Sequence, residues 1–352
     1  MAQPAMDILQ IGLGNFGTRH VEAWVRLGFG ERLWVVDPDA SKWADAVRAG
    51  VPEQRLLRSP GQALARVQIV DVVTPTDSHH ALCRQALDAG KDVFVEKPMT
   101  RTSAQARELA ELADQRGRLL QVGFSYRFHP ASLRLRQEIQ AGRLGAIRYM
   151  TGSFCGFKRA RTDVGVTHTD GIHFLDLFNW LLESQPAEVF AVCRDHFNRG
   201  LEDFSIVLLT YPSGAVAKVE SGYIQPGRWP DTVVPGAMTT KELTVVGELA
   251  VAEVDFEAGT LAITDARHEP RAGTWAPAIG QRAASEFGAC GPVELISREL
   301  AAFADAVRTR QPTLAGPIDC GVHLAVLMER LYESAQLRQR VAVEPALQAR
   351  AA

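Results

Sequence analysis

The sequence predicts two domains of different class, an α/β domain with a parallel sheet followed by an α+β domain with a mostly antiparallel sheet. Up to about residue 125, short apolar runs alternate with helical patterns, as in parallel strands joined by covering helices. From about residue 145, longer apolar runs predominate, and the chain then ends in helical patterns. We therefore place the first domain at residues 1–125 and the second at residues 126–352.

The composition is that of a globular protein, with 46% hydrophobic and 22% charged residues in a chain of 352. A net charge of −3 provides no general attraction to nucleic acid or to an anionic membrane. No uncharged apolar run approaches the ~20 residues that span a bilayer, and residues 1–7 lack the features of a signal peptide. The scattered cysteines predict neither a disulfide framework nor a zinc site: Cys83, Cys155, Cys193, Cys290 and Cys320. We expect a cytoplasmic protein without a bound metal.

Strands of the first domain are predicted where the chain is almost continuously apolar, at residues 7–11, 32–36, 69–73, 92–95 and 119–123. Helices are predicted between them, at residues 17–28, 40–49, 60–65, 79–89 and 103–116. Strands of the second domain are predicted at residues 148–154, 187–195, 203–211, 214–221 and 241–247, with two short ones in 249–264. Its helices are predicted at residues 171–182, 293–309 and 318–337, and residues 223–238 are expected to form a loop.

A glycine-rich turn, Gly12-x-Gly14-x-x-Gly17, joins the first strand to the first helix. This spacing suits a pyrophosphate held at the helix N-terminus, where backbone N–H groups and the helix dipole favour an anion. Asp37 ends the second strand, 20 residues after Gly17, where a carboxylate can accept hydrogen bonds from an adenosine ribose. The combination predicts dinucleotide binding.

Two further loops follow strands and so lie at the carboxyl edge of the sheet, where ligands of such folds bind. The third strand ends in Thr74-Pro75-Thr76-Asp77-Ser78-His79, and the fourth in Glu96-Lys97-Pro98. Lys97 is a candidate general base because a lysine that is partly desolvated, or near a nicotinamide cation, loses its proton more readily. The expected cofactor contacts are Gly12, Gly14, Asn15, Phe16, Gly17, Asp37, Thr74, Pro75, His79, Glu96 and Lys97.

A second polar cluster, Thr167-His168-Thr169-Asp170-Gly171-Ile172-His173, leads into the helix predicted at 171–182. His173 lies at the start of this helix, off its main apolar stripe, and its ordinary pKa suits proton relay near neutrality. A metal site is the weaker interpretation, because the spacing is irregular and no cysteine is near. The basic loop before this cluster, with Lys158, Arg159 and Arg161, is a candidate for binding an anionic substrate group.

Taken together, these stretches resemble the glucose–fructose oxidoreductase, inositol dehydrogenase and rhizopine-catabolism (Gfo/Idh/MocA) family. The matching segments are residues 12–17, 74–79, 89–98, 121–128 and 171–176. The resemblance implies a Rossmann domain followed by an open-faced antiparallel sheet that often forms the subunit interface, and hence a homo-oligomer, a dimer or a tetramer. It makes Lys97 the catalytic lysine and His173 the catalytic histidine, with Arg127 a candidate substrate contact.

The chain departs from the family pattern at Thr169, where members often carry an aspartate four residues before the histidine. Asp170 lies one place further on, and one residue turns a helical side chain by about 100°. Either the Thr169 hydroxyl contacts His173 or the substrate, or the relay is built differently. Because members that act on nucleotide-linked sugars vary here, a nucleotide sugar is one hypothesis for the substrate.

The resulting hypothesis is NAD-dependent oxidation of a ring hydroxyl of a sugar, nucleotide sugar or cyclitol to a ketone. NAD is favoured over NADP because Asp37 repels a 2′-phosphate, and Pro38 and Asp39 precede any lysine in the following loop. Two alternatives remain open: an NAD(P)H-dependent reductase of a keto sugar or an imine, and a non-catalytic cofactor-binding sensor.

Overall fold

The computed structural model describes residues 6–231, 234–311 and 319–344, which form two compact units. Residues 1–5, residues 232 and 233 of the predicted loop, and residue 318 of the last predicted helix lie outside the described part. In its described part, the first unit contains residues 6–128, 291–311 and 319–325, and the second contains residues 129–231, 234–290 and 326–344.

The first unit is built on a parallel sheet, in the order β3-β2-β1-β4-β5-β6. Its strands are β1 (Ile8–Ile11), β2 (Leu33–Val36), β3 (Leu56–Leu57), β4 (Ile69–Val72), β5 (Asp92–Glu96) and β6 (Leu120–Gly123). Every residue of β1, β4, β5 and β6 is buried, as expected for a parallel sheet covered on both faces. This confirms the predicted α/β class. Only the two-residue β3 was not predicted from the sequence.

The helices between these strands begin and end within three residues of the predicted bounds. They are α1 (Asn15–Arg26), α2 (Trp43–Ala49), α3 (Gly61–Leu64), α4 (His79–Asp88) and α5 (Ser103–Arg116). Local signals explain the ends of α5, where the Thr102 side chain caps the Gln105 N–H and Gly117 takes a left-handed conformation.

The second unit combines three helices with a long, mostly antiparallel sheet. Its first elements are α6 (Pro130–Gln140), β7 (Ile147–Phe157), α7 (Ile172–Leu182), β8 (Glu188–Arg194), β9 (Phe204–Thr210), β10 (Val216–Gly222), β11 (Trp229–Pro230) and β12 (Met238–Gly247). The remaining elements of the chain are β13 (Ala250–Asp255), β14 (Thr260–Arg271), β15 (Thr274–Glu286), α8 (Pro292–Thr309), α9 (Asp319–Leu337) and β16 (Val341–Ala342).

The strands of the second unit follow the order β15-β14-β13-β12-β7-β10-β9-β8-β16, with β11 beside β12. Only the β7–β10 pair is parallel among the described pairs. Along β12, buried residues alternate with more exposed ones, so one face is covered and the other is open. Part of the cover comes from α7, since a Cβ on Gly152 of β7 would lie 2.6 Å from the Phe174 ring. The expected α+β class with an open-faced sheet is confirmed.

The chain returns to the first unit after residue 290, because the apolar face of α8 packs on α1. Ile296, Leu300 and Phe303 of α8 join the same hydrophobic core as Trp24 and Phe94. The single predicted boundary at 125/126 lies near the first change of unit, at residues 128 and 129. A single boundary does not describe the later return, which depends on a contact between helices distant in sequence.

Candidate active site

The three glycines of the turn in the first unit differ in the space around them. Gly12 has a φ of +110°, and a Cβ there would lie 2.4 Å from the Val73 carbonyl oxygen. A Cβ on Gly17 would lie 2.3 Å from the Gly12 carbonyl oxygen. At Gly14, by contrast, no atom lies within 4 Å of the Cβ position. The fold itself requires Gly12 and Gly17, whereas Gly14 borders open space beside the backbone.

The turn also presents the N-terminus of α1 without a side-chain cap. Gly14 is the N-cap residue and supplies no side-chain oxygen, and the first turn contains no acidic residue. Uncapped N–H groups and the positive end of the helix dipole attract an anion. A dinucleotide diphosphate therefore fits the residues present, with room for its close approach at Gly14.

Asp37 is buried at the end of β2 and contacts the glycine turn directly. Its Oδ2 accepts a hydrogen bond from the Leu13 N–H at 2.8 Å, and its Oδ1 accepts one from the Asp39 N–H at 2.9 Å. The Lys42 ammonium lies 3.3 Å from Oδ2. Asp37 thus supports the turn as well as occupying the expected ribose position, and a cation lies beside it.

His79 connects two loops at the carboxyl edge of the sheet. Its Nε2 lies 2.8 Å from the Thr74 carbonyl oxygen, and its Nδ1 lies 3.0 Å from the Pro98 carbonyl oxygen. Burial lowers the pKa of His79, which favours the neutral imidazole. The predicted cofactor contacts Thr74 and Pro75 belong to the loop that this ring secures, where the Thr74 hydroxyl lies 2.6 Å from that of Ser78.

Lys97 follows β5 on a half-buried turn, and its bond to Pro98 is cis. Glu96 Oε2 accepts a hydrogen bond from the Lys97 N–H at 3.1 Å. The Glu96 carboxylate lies against Gly123 of β6, where a Cβ would be 2.6 Å from Oε1. The glycine at 123 therefore makes room for the carboxylate beside the candidate base.

Arg127, predicted as a substrate contact, belongs to the first unit and is almost fully buried, with 1% exposed. Its guanidinium lies 5.3 Å from the centroid of the Phe124 ring. A buried guanidinium stacked on an aromatic ring stabilises the local fold.

His173 is the half-buried position on α7, whose other residues up to Leu181 are all buried. A π-helical turn, Thr167–Gly171, precedes the helix and was not predicted. The His173 ring stacks near Phe154 of β7, with centroids 6.1 Å apart and planes at 29°. The histidine is thus placed by a buried helix and an aromatic neighbour, while the residue remains partly exposed.

Lys158 forms a buried ion pair with Asp170. Its Nζ lies 2.9 Å from Oδ1 and 2.8 Å from Oδ2 of the carboxylate. The same ammonium lies 4.5 Å from the centroid of the Phe154 ring and 5.7 Å from that of Tyr223. Burial, with the negative charge of Asp170, raises the pKa of the Tyr223 phenol. Lys158 and His173 therefore both lie beside the Phe154 ring, and Asp170 contacts Lys158.

The other predicted substrate residues in this region have partners of their own. The Thr169 hydroxyl donates to the Gly165 carbonyl oxygen at 2.9 Å. Arg161 pairs with Asp163 through two hydrogen bonds, of 2.8 and 2.6 Å, and this contact raises the pKa of the guanidinium. Arg159 is exposed. The basic loop is therefore not a cluster of unneutralised charges.

The sequence reasoning missed Lys241, whose ammonium lies 5.0 Å from the centroid of the Phe154 ring. It is buried, is paired with Glu257, and lies 3.3 Å from Asp231 Oδ2. A lysine at a position of β12 where the alternation requires a buried side chain was the available signal. In the described ranges, no three His, Cys, Asp or Glu residues are grouped so as to hold a metal ion. No described helix has the length and apolar character needed to cross a membrane.

A six-stranded parallel sheet with a glycine turn at the start of α1 defines a dinucleotide-binding domain of the Rossmann class. Residues 6–124 match the oxidoreductase family with an NAD-binding Rossmann fold, and residues 132–253 match the GFO/IDH/MocA C-terminal domain. The chain belongs to the GFO/IDH/MocA family of oxidoreductases, and NAD is the cofactor for which the family's fold is described.

The chain is similar to dehydrogenases of a nucleotide sugar, of a cyclitol and of an anhydrosugar. The chain is 28% identical to UDP-N-acetylglucosamine 3-dehydrogenase of Acidithiobacillus ferrooxidans over 341 residues, covering 96% of this chain and 97% of that one. It is 31% identical to inositol 2-dehydrogenase of Cereibacter sphaeroides over 220 residues, covering 60% and 65%. The solved structure of levoglucosan dehydrogenase in complex with NADH has a TM-score of 0.79 at 18% identity, covering 96% and 99%, which shows a shared fold.

Proposed function

We propose that the protein oxidises a ring hydroxyl of a sugar, nucleotide sugar or cyclitol to a ketone, with NAD as the oxidant. The observation that carries this proposal is the position of Lys97 at the end of β5. The glycine turn follows β1 of the same parallel sheet, so the candidate base and the diphosphate site lie at one edge. The relatives supply the substrate class, since they are named as dehydrogenases of a nucleotide sugar and of inositol.

The residues that would hold NAD are those of the glycine turn and the loops beside it. The α1 N-terminus binds the diphosphate, Gly14 allows its close approach, and Asp37 accepts hydrogen bonds from the ribose. The neighbouring loop borders the site and contains Thr74, Pro75 and His79. When bound, NAD supplies the acceptor for the hydride that leaves the substrate carbon.

Lys97 takes the proton of the substrate hydroxyl in this proposal, and His173 assists in relaying it. Glu96 holds the Lys97 backbone, which limits the directions in which the side chain extends. His173, on a buried helix and stacked near Phe154, provides an imidazole in the second unit that can accept and donate a proton.

The Lys158–Asp170 pair favours recognition of neutral hydroxyls at that position. An ammonium already neutralised by a carboxylate attracts a phosphate weakly, whereas the two groups together can donate to and accept from a diol. Any charged part of a nucleotide sugar would then depend on other residues, of which Arg159 is exposed.

The test is NADH formation, followed by absorbance, with the wild-type protein and a panel of cyclitols, free sugars and UDP-sugars. Lys97→Ala is expected to lower kcat by at least about 10²-fold while leaving NADH affinity within about threefold. Lys97→Arg keeps the charge but not a titratable base, and is expected to be equally inactive. Full turnover in Lys97→Ala would contradict the assignment of the base. The same assays run with NADH and the ketones distinguish oxidation from reduction as the favoured direction.

We also propose a homo-oligomer that covers the open face of the sheet. Apolar side chains on this face include Tyr149, Leu208 and Val216, each between 38% and 39% exposed, and Val216 pairs with Tyr149 across neighbouring strands. Grouped exposed apolar side chains can mark a protein–protein interface. Light scattering on the purified protein measures the mass, and Leu208→Asp is expected to lower it. A monomer at all concentrations would contradict the proposal.

A further inference from the structure

A buried chain of polar groups lies behind the candidate base. The His20 ring lies between two carboxylates, with Nδ1 3.0 Å from Asp71 Oδ2 and Nε2 3.2 Å from Glu96 Oε1. Neither the His20 nor the Asp71 side chain has any exposed surface, and that of Glu96 is 10% exposed. The Trp24 indole N–H donates to Asp71 Oδ2 at 2.8 Å. At the other end, Glu96 accepts the Lys97 N–H, so the contacts run without a break from Trp24 to Lys97.

This series of polar contacts joins the cofactor side of the sheet to the candidate base. His20 lies one turn after Gly17 on α1, the helix whose N-terminus faces the diphosphate site. Asp71 belongs to β4, and Glu96 is the last residue of β5. A displacement of the Glu96 carboxylate would be transmitted to the backbone of Lys97, because the two are hydrogen-bonded.

With both neighbouring carboxylates ionised, His20 can satisfy both contacts only when each ring nitrogen carries a proton. A neutral imidazole has one N–H and can donate to only one carboxylate, whereas the imidazolium can donate to both. Burial alone lowers the pKa of His20, but the carboxylates of Asp71 and Glu96 outweigh burial and raise it to about 10. His20 is therefore a buried cation at neutral pH.

A further carboxyl group interacts electrostatically with Glu96. From α8, the fully buried Glu299 adds another carboxyl group, whose Oε1 accepts the Phe124 N–H at 2.6 Å. Burial and the charge of Glu96 raise the pKa of Glu299, while His20 and Arg127 act in the opposite sense. From β6, Gly123 presents only backbone to the carboxylate. Without the imidazolium, Glu96 would lose the cation that contacts its Oε1.

We propose that His20 is a positioning residue for the reaction: its imidazolium keeps the Glu96 carboxylate charged and in place, and Glu96 in turn orients Lys97. This inference depends on the proposed role of Lys97 as the base. It adds a link between the helix that begins at the diphosphate site and the group that accepts the proton.

The test is a double-mutant cycle of His20→Gln and Glu96→Gln, measured as kcat against pH and as NADH affinity. In His20→Gln, Glu96 is expected to take up a proton, because its largely buried carboxylate loses the imidazolium that stabilises the negative charge. Each single variant then loses the negative charge beside Lys97. The kcat plateau is expected to fall about 10- to 100-fold, and the acid limb of the profile to move to lower pH by about 0.5–1 unit. NADH affinity is expected to change less than about threefold.

The double variant separates positioning from folding. Because both changes act through the same carboxylate, His20→Gln is expected to have no further effect on kcat or on the pH limb once Glu96 is Gln. Additive losses of kcat with an unshifted limb would overturn the proposal. His80→Gln is the matched control, since it removes another histidine–glutamate contact, 2.9 Å to Glu108, on the surface of α4. This control should behave as wild type.

Two further measurements keep the proposal testable if a variant folds poorly or no substrate is turned over. Asp71→Asn removes one of the two charges that hold the imidazolium. The acid limb of the kcat profile is expected to move to lower pH, by less than in His20→Gln. The chain has six lysines, so ¹³C-dimethyl-lysine NMR can follow the titration of Lys97, assigned with Lys97→Arg, without any turnover. An unchanged Lys97 titration in both His20→Gln and Asp71→Asn would overturn the positioning role. The wild type could prove inactive while the Lys97 titration still shifts in these two variants. That result would count only against the proposed function.

Discussion

Lys158 and Asp170 lie in contact on the covered side of the second unit, with 8% and 4% of their side chains exposed. The pair joins the residue that follows β7 to the π-helical turn before α7. From the sequence alone, Lys158 was a candidate for binding an anionic substrate group, and Asp170 was a candidate substrate contact one place beyond the position of the family's aspartate. Their contact fixes the π-helical turn that precedes His173 on α7.

We expect that breaking this pair on one side destabilises the fold. Lys158→Met leaves an uncompensated carboxylate and Asp170→Asn an uncompensated ammonium, each at a cost of about 3–5 kcal/mol in the free energy of unfolding. The double variant is expected to lose less than the sum of the two, as measured by urea denaturation. Additive losses would show that the two side chains do not interact in solution.

We expect Gly14 to be needed for cofactor binding but not for folding. Gly14→Ala places a methyl group in the open space at the α1 N-terminus, where no protein atom lies within 4 Å. The variant should unfold within about 1 kcal/mol of wild type but bind NADH at least about tenfold more weakly. Gly61→Ala, at an equally open position on α3, is the control and should change neither quantity. Normal NADH affinity in Gly14→Ala would place the diphosphate elsewhere.

We expect Asp37 to set the preference for NAD over NADP. Asp37→Asn removes the charge that repels a 2′-phosphate, whereas the neighbouring Lys42 and Arg58 keep theirs. The ratio of NADH to NADPH affinities should fall at least about tenfold, as measured by fluorescence titration. Asp39→Asn changes the same charge at an exposed position bonded to Ser41, and should change the ratio less than about threefold. An unchanged ratio in Asp37→Asn would mean that this carboxylate does not contact the ribose.

We expect the stability of the protein to fall as the pH rises above neutrality. The pKa of His20 is raised to about 10 from an ordinary value of 6.5, and that of Glu299 is also raised. The folded chain therefore keeps protons that the unfolded chain has released. The stabilisation from His20 is complete below pH 6.5 and is lost as the pH rises through about 10.

The measurement is the free energy of unfolding between about pH 7 and 8.5, a window below the ordinary cysteine pKa and above that of His79. Each retained proton contributes a slope of about 1.4 kcal/mol per pH unit. The His20→Gln/Glu96→Gln double variant is expected to flatten the curve, because neither the imidazolium nor Glu96 can then hold the extra proton, and His80→Gln is expected to leave it unchanged. A curve of equal slope in wild type and the double variant would show that the His20–Glu96 pair holds no extra proton in the folded state.

Most of the first unit was predictable because its signals are local. Continuous apolar runs predicted all but the shortest of its strands, and glycine spacing predicted the turn. In the second unit, the helix α6 was missed, although His129 accepts the Ala131 N–H at its start and Pro130 follows. Much of the β14–β15 hairpin was missed because both faces of β15 are largely exposed, so no alternation of apolar and polar residues marks it.

The candidate site, too, was predictable where its signals are local in the sequence and was missed where they are not. Gly12, Gly14, Gly17, Asp37 and Lys97 were identified because each follows a strand at the edge where ligands of parallel sheets bind. The amino-acid sequence by itself determined the two fold classes, the family and the cofactor. Only the tertiary structure decided which charges neutralise one another. Pairs such as Lys158–Asp170 and His20–Glu96 join residues 12 and 76 positions apart, and contacts between distant segments depend on packing that no local pattern records.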